Sequence, residues 1–282
     1  MTTPEQHMAD LLATFGSPTA CTAELLCDRH PAGAVAFTLV EPDLTGRNVT
    51  FGELKESSAR MARALANLGV GAGDRVATLM GKSAELVVAV LAIWRLGAVH
   101  VPLFTAFAPP AIGVRITGNG TKAVFVDADQ RAKLDPSPAF PADAGWRVIT
   151  TGPAVDGTLA FADLIAVCPP LEHAVAAGGD APIIELFTSG TTGSPKGVPV
   201  PLRAVAAFAM YQEYGGRGAQ EPGEPLRELL RRQPRRCRQR PVGRNALGLP
   251  NERIPARGRR RGQRDVGEHP RHRLLLRLQP AG

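Results

Sequence analysis

Phe187-Thr188-Ser189-Gly190-Thr191-Thr192-Gly193-Ser194-Pro195-Lys196-Gly197 is the one stretch of this 282-residue chain whose residue types and spacing carry specific chemistry. Glycines at 190, 193 and 197 let a backbone turn sharply and bring its N–H groups close to a ligand. The hydroxyls of Thr188, Ser189, Thr191 and Thr192 and the compact charge of Lys196 suit the oxygens of phosphate. The chemistry would be the holding of a nucleotide's phosphates. A Walker-type loop is excluded, because that motif needs four residues between its glycine and a Gly-Lys-Ser/Thr triplet that opens a helix. Composition alone leaves a second reading open, since Gly, Ser and Thr are also the residues of a mobile surface loop. No protein nucleophile is evident: His100, His173 and Cys168 read as structural groups without catalytic partners.

The elements around this stretch must place it at an end of a sheet. Ile183 to Phe187 reads as a strand, Thr188 to Pro195 as the turn at its end, and Lys196 to Val200 as a second short strand. Pro201 then occupies a first helical position, with Leu202, Val205, Ala206, Ala209 and Met210 on one face. Upstream, a weakly helical segment of about 30 residues, with a helical turn at Glu24 to Arg29, precedes a strand from Ala34 to Val40 and a polar turn from Asp43 to Asn48. Thr50 and Glu53 form a capping box for a helix carrying Leu54, Met61, Leu65 and Leu68, with Gly69 where a left-handed C-terminal residue belongs. Asp74 to Met80 reads as a strand, Ser83 to Leu96 as a helix apolar nearly all round, and Ala98 to Leu103 as a strand parallel to the first, joined by a right-handed crossover. A helix through Ile116, a strand from Lys122 to Asp127, a Pro- and Asp-rich loop from Asp135 to Gly145, a strand from Arg147 to Thr150 and a helix from Phe161 to Val167 continue the alternation. The expectation is an α/β architecture with a mainly parallel sheet and flanking helices, whose ligands lie beyond the carboxyl ends of the strands.

Charge divides the chain near Gly215. Residues 1–215 carry 15 Lys+Arg against 20 Asp+Glu, a net of −5, whereas residues 216–282 carry 18 Arg, no Lys and 6 acids, a net of +12. The tail has no Phe, Tyr or Trp. Hydrophobic residues at 44% are enough for a substantial core in the first part. No run approaches the roughly 20 apolar residues of a membrane helix, and Glu5, His7 and Asp10 stand where a secretory leader would be basic and then apolar, so a cytoplasmic location is expected. Cys21, Cys27, Cys168 and Cys237 fit neither a zinc knuckle nor a redox pair and read as ordinary reduced thiols.

Leu186 to Val198, LFTSGTTGSPKGV, resembles the signature loop of the adenylate-forming superfamily, which holds acyl-CoA synthetases, peptide adenylation domains and luciferases. Thr50-Phe51-Gly52-Glu53-Leu54, Asp74-Arg75-Val76-Ala77, Arg95-Leu96-Gly97-Ala98 and Val101-Pro102-Leu103 are similar to parts of its large N-terminal domain, and Val198 to Arg203 most resembles the acetyl to medium-chain branch. The resemblance implies ATP, Mg²⁺ and coenzyme A as partners of a carboxylate substrate: the carboxylate attacks the α-phosphate, pyrophosphate leaves, and a thiol takes the acyl group. It implies that Thr188, Ser189, Thr191 and Thr192 donate hydroxyls, with Thr188 helping to hold Mg²⁺, that Gly190, Gly193 and Gly197 keep the loop bendable, and that Lys196 places its charge on the departing pyrophosphate.

The likeness covers residues 31–215, so the expected organisation is an N-terminal extension (1–30), a partial AMP-binding domain (31–215) and an Arg-rich tail (216–282). The family's downstream Tyr-Gly-x-Thr-Glu segment, ribose-binding Asp and C-terminal lysine find no counterpart. Three readings of the tail stand side by side: a nucleic-acid arm, a disordered segment, and out-of-frame translation of a GC-rich gene from near codon 215, which accounts at once for the loss of lysine, aromatics, periodicity and likeness. The last is favoured, and the chain is expected to be a truncated acyl-CoA synthetase without full activity.

Overall fold

Val76 and Phe125 face one side of a sheet while Ala77 and Val124 face the other, and all four are buried. Strands buried on both faces are the mark of a parallel sheet covered by helices. In the computed structural model, which describes residues 3–40, 45–140, 144–155, 157–188, 195–212 and 273–275, the chain begins with helix α1 (Pro4–Phe15) and a single π-helical turn (Glu24–Asp28). Strands β1 (Val35–Val40) and β2 (Gly46–Thr50) form an antiparallel hairpin leading into α2 (Phe51–Asn67). There follow β3 (Arg75–Leu79), α3 (Ala84–Arg95), β4 (Val99–Pro102), α4 (Pro109–Ile116), β5 (Thr121–Val126), β6 (Arg147–Thr150), β7 (Thr158–Ala160) and α5 (Phe161–Val167). Strands β8 (Pro182–Thr188) and β9 (Lys196–Pro201), a 3-10 turn (Leu202–Ala204) and α6 (Val205–Met210) close the series, and β10 (Arg273–Leu275) pairs with β1.

The seven-stranded sheet runs β7-β6-β5-β3-β4-β8-β9, parallel throughout except for β9, which returns antiparallel to β8. One face packs on α2, α3 and α5 through Met61, Leu65, Ala89, Ile93 and Phe161; the other packs on α4 through Ile112 and Ile116. The chain divides into two units, residues 1–210 with 271–282 and residues 211–270; of the second only Tyr211 and Gln212 are described. Among the described residues no helix is long and apolar enough to cross a membrane.

The capping box is present in full: Glu53 N–H donates to Thr50 Oγ1 at 3.2 Å and Thr50 N–H donates to Glu53 Oε2 at 2.7 Å. Gly69 and Gly97 adopt the left-handed conformation, at φ 85° and 65°, where the expected helices end. Four elements differ from the sequence expectation. α1 is a full helix, capped by Thr3 and started by Pro4, and it is kept by Phe15, which joins Ile183, Leu202 and Ala206 in a separate small core. The polar segment read as a turn becomes β2 from Gly46 onward, because the ladder with β1 satisfies its backbone; residues 41–44 lie outside the described ones. The short edge strand β7 is not among the expected elements. Pro201 ends β9 instead of opening a helix, yet Leu202 and Ala206 are buried as that face requires.

Candidate functional site

The loop of interest joins two strands of a hairpin. β8 lies parallel to β4, so its last residue, Thr188, is at the same end of the sheet as the carboxyl ends of β3, β4 and β5. β9 comes back in register, pairing Leu186 with Val198, Phe187 with Gly197 and Thr188 with Lys196. Residues directly opposite on an antiparallel pair share a face, with Cβ atoms about 5 Å apart. Thr188 and Lys196 thus send their side chains from the same face at the mouth of the hairpin, and both residues are exposed. Ser189, Gly190, Thr191, Thr192 and Gly193, the sequence-predicted centre of the site, lie outside the described residues. Gly197 is placed within β9 and not in the turn; its space is occupied by the side chain of Glu185, which a Cβ there would strike.

Neighbouring groups at this end of the sheet are tied to one another. Gly81 N–H donates to Asp127 Oδ2 at 2.6 Å, linking the ends of β3 and β5. The Arg115 guanidinium of α4 lies 4.3 Å from the Phe107 ring centre and 5.7 Å from that of Phe187, so the residue before Thr188 is held from above by a cation–π contact. On the same face of the sheet as Phe187, Arg75 Nε, at the amino end of β3, donates to Glu185 Oε2 at 3.0 Å. The sequence reading missed both contacts because their partners are far apart along the chain; the only sequence signal is the presence of a carboxylate in an otherwise apolar strand, Ile183-Ile184-Glu185-Leu186-Phe187.

The groups set aside as structural are placed accordingly. His100 is 8% exposed on β4 and shares a 2.8 Å hydrogen bond with Thr78 Oγ1 on β3; burial pushes its imidazole down to about 4. His173 is exposed. Cys21, Cys27 and Cys168 are buried free thiols, and burial, aided by the charge of Asp28, pushes Cys27 up to about 11, far from nucleophilic use. Among the described residues no group of His, Cys, Asp and Glu could hold a metal ion by itself.

A cavity of about 670 Å³ lies among α1, the π-helical turn, α2 and the end of α3, and its lining contains no residue of the β8–β9 hairpin. Two of its ionic groups are matched to each other: Arg95 donates to both Asp28 oxygens at 2.6 and 2.8 Å, and also to Ser58 Oγ at 2.7 Å. Burial acts to raise the Asp28 carboxyl, but the Arg95 guanidinium outweighs it and holds the group below its ordinary range.

Comparison with known proteins adds the family context. The model of the family described as AMP-binding enzyme matches residues 24–225. Acetyl-coenzyme A synthetase of Methylobacterium radiotolerans is 34% identical over 228 residues, covering 71% of this chain and 34% of that protein. The crystal structure of a Brucella canis acyl-CoA synthetase superposes with a TM-score of 0.65 at 35% identity, over 73% of this chain and 38% of that one. ATP-bound MatB of Rhodopseudomonas palustris gives a TM-score of 0.56 at 30% identity, over 69% and 37%. The chain therefore spans about a third of the length of the curated relatives it matches.

Proposed function

This chain belongs to the AMP-binding enzyme family, and from that premise we propose that its β8–β9 hairpin is the phosphate-holding part of an ATP-dependent acyl-CoA ligase. The observation that carries the reading is the pairing of Thr188 with Lys196 across the mouth of the hairpin, at the carboxyl end of the sheet. In the proposed reaction a carboxylate oxygen attacks the α-phosphorus of ATP, the bond to the bridging oxygen of the β-phosphate breaks, and pyrophosphate departs. The thiol of coenzyme A then attacks the acyl carbonyl and AMP leaves. An acetyl to medium-chain carboxylate is the proposed acyl donor, in keeping with the acetyl-coenzyme A synthetase relative.

No protein nucleophile is needed, because such a transfer is accelerated by positioning and by neutralising charge on oxygens. Lys196 would set its charge on the departing pyrophosphate. Thr188, Ser189, Thr191 and Thr192 would donate hydroxyls, and Gly190 and Gly193 would let backbone N–H groups approach. The exposed hydroxyl of Thr188 fits one oxygen of a Mg²⁺ shell otherwise made of phosphate oxygens and water. When bound, Mg²⁺ neutralises phosphate charge; the part of Thr188 is to offer that oxygen.

Residues 31–215 are proposed as the family domain, with 1–30 an extension and 216–282 apart from it, and the reaction is placed in the cytoplasm, in keeping with the free thiols. These 282 residues are proposed to hold nucleotide phosphate without completing the ligase reaction, since the matching region corresponds to about a third of the relatives. Two measurements test this. Pyrophosphate and ATP binding should weaken about tenfold in Lys196→Ala, the loss of one charge-assisted contact; equal affinity for both proteins refutes the phosphate reading. Carboxylate-dependent exchange of labelled pyrophosphate into ATP should be absent; its detection, with loss in Lys196→Ala, refutes the incomplete reading and keeps the phosphate site.

A further inference from the structure

Glu185 is a carboxylate in the middle of a sheet, 9% exposed, where a strand ordinarily carries an apolar residue. Burying an ionised group is unfavourable unless it is matched. Its Oε2 is matched by Arg75 Nε at 3.0 Å, and Arg75 also donates from Nη1 to Gly73 O at 3.3 Å. Arg75 stands on β3, and β4 lies between β3 and β8, so this ion pair reaches across a whole strand. The other side of the carboxylate lies over β9. A Cβ at Gly197 would strike Glu185 Oε1 and come within 3.0 Å of Cδ. Gly197 is extended strand without a positive φ, so its backbone makes no demand for glycine, and a side chain there would instead displace the Glu185 carboxyl. Lys196 is the next residue, paired with Thr188 on the opposite face.

We propose that Glu185 is a positioning residue for the hairpin: tied to Arg75 and laid over Gly197, it locks β9 against the centre of the sheet and so holds Lys196 beside Thr188. The role rests on the phosphate reading of the hairpin given above. It places no ligand contact on Glu185 itself. The strut acts through β9, with β3 as its fixed end.

The test uses the full chain with three readouts: pyrophosphate binding, amide hydrogen exchange across Lys196–Val200, and the thermal midpoint. Glu185→Gln keeps the shape and removes the charge. It should weaken pyrophosphate binding about fivefold, the scale of one partly exposed ion pair, and speed exchange in β9 while leaving exchange in α2 and α3 unchanged. Gly197→Ala should do the same by pushing the carboxylate off Arg75. Because both act through one strut, Gly197→Ala added to Glu185→Ala should cost nothing beyond Glu185→Ala alone. Additive losses in that cycle, or a Glu185→Gln protein whose binding and β9 exchange match the wild type, overturn the proposal. A drop in thermal midpoint with uniform acceleration of exchange in all elements also overturns it, showing a merely structural role. Wild-type binding that Lys196→Ala removes and Glu185→Gln leaves intact sinks the positioning role alone. A wild-type chain that binds no pyrophosphate sinks the phosphate reading and this role with it.

Discussion

Replacing His100 by Asn should change how stability depends on pH more than it changes stability at neutral pH. The imidazole is held between β3 and β4, 8% exposed, with its Nε2 2.8 Å from Thr78 Oγ1, and burial lowers it from an ordinary 6.5 to about 4. It is therefore neutral in the folded chain and takes a proton near pH 6.5 only when the chain unfolds. Between these two values the unfolded state binds more protons, so stability rises with pH there. The contribution is fully present above 6.5 and is lost as pH falls toward 4, at up to about 1.4 kcal/mol per pH unit. Going from neutral to about pH 4.5 should remove about 2.5 kcal/mol from the wild type through this one group. His100→Asn keeps a polar partner for Thr78 and cannot take up the proton. Other titrating groups are common to both proteins, so the difference isolates the imidazole. Urea unfolding followed by the fluorescence of Trp94 and Trp146, at pH 7 and about pH 4.5, gives the four free energies required. The wild type should lose its advantage over His100→Asn at the lower pH by about 2.5 kcal/mol; parallel profiles, with a constant difference between the two proteins, would refute the reasoning.

Asp28→Ala should destabilise the chain by about 3 kcal/mol or more in urea, since it strands the Arg95 guanidinium, whose side chain is 4% exposed, without its bidentate partner. The Asp28 carboxyl is held low in the fold, so that loss should persist at about pH 4.5 and fade only in stronger acid, as pH falls through the folded value. Thr50→Ala should cost about 1 kcal/mol by removing the acceptor of the Glu53 N–H at the start of α2, and Thr50→Ser should recover most of it in the same melts. Phe125→Ala should cost about 3–5 kcal/mol, because the ring is 1% exposed in the sheet and packs edge-on to Phe161 at 5.8 Å between centres.

What the sequence makes legible is what local rules decide. The capping box, the left-handed glycines and the short apolar runs of β3 and β5 are written in residues a few positions apart, and the fold follows them. α1 is only weakly written in its own residues because its helix depends on Phe15 meeting Ile183 and Ala206, contacts no local pattern announces, although Thr3 followed by Pro4 is a helix start. β2 was read as a turn because Gly46-Arg47-Asn48 has turn composition, and only the partner β1 makes it a strand. Gly197 shows the same limit at the candidate site. Beside Gly190 and Gly193 it looks like one more flexible residue, and no local pattern announces that the Glu185 carboxyl lies over it, held by Arg75, 110 positions away.

The step from parallel to antiparallel pairing at β8 and β9 bears directly on the chemistry. A Walker loop hands its phosphates to the first turn of a helix, where N–H groups and the helix dipole meet the charge. Here the loop passes into a strand, Lys196 is that strand's first residue, and the following helix, α6, begins only at Val205. A phosphate at this mouth would meet no helix terminus from the same segment. Its charge would fall to Lys196, to loop amides and to an accompanying cation, and the accuracy of the Lys196 position would depend on how firmly β9 is fixed to the sheet. Among the described residues that strand is an edge, with β8 as its one neighbour. An edge strand carrying the principal charge needs an anchor that reaches inward, and the Arg75–Glu185 pair, passing over β4, is the contact that supplies one.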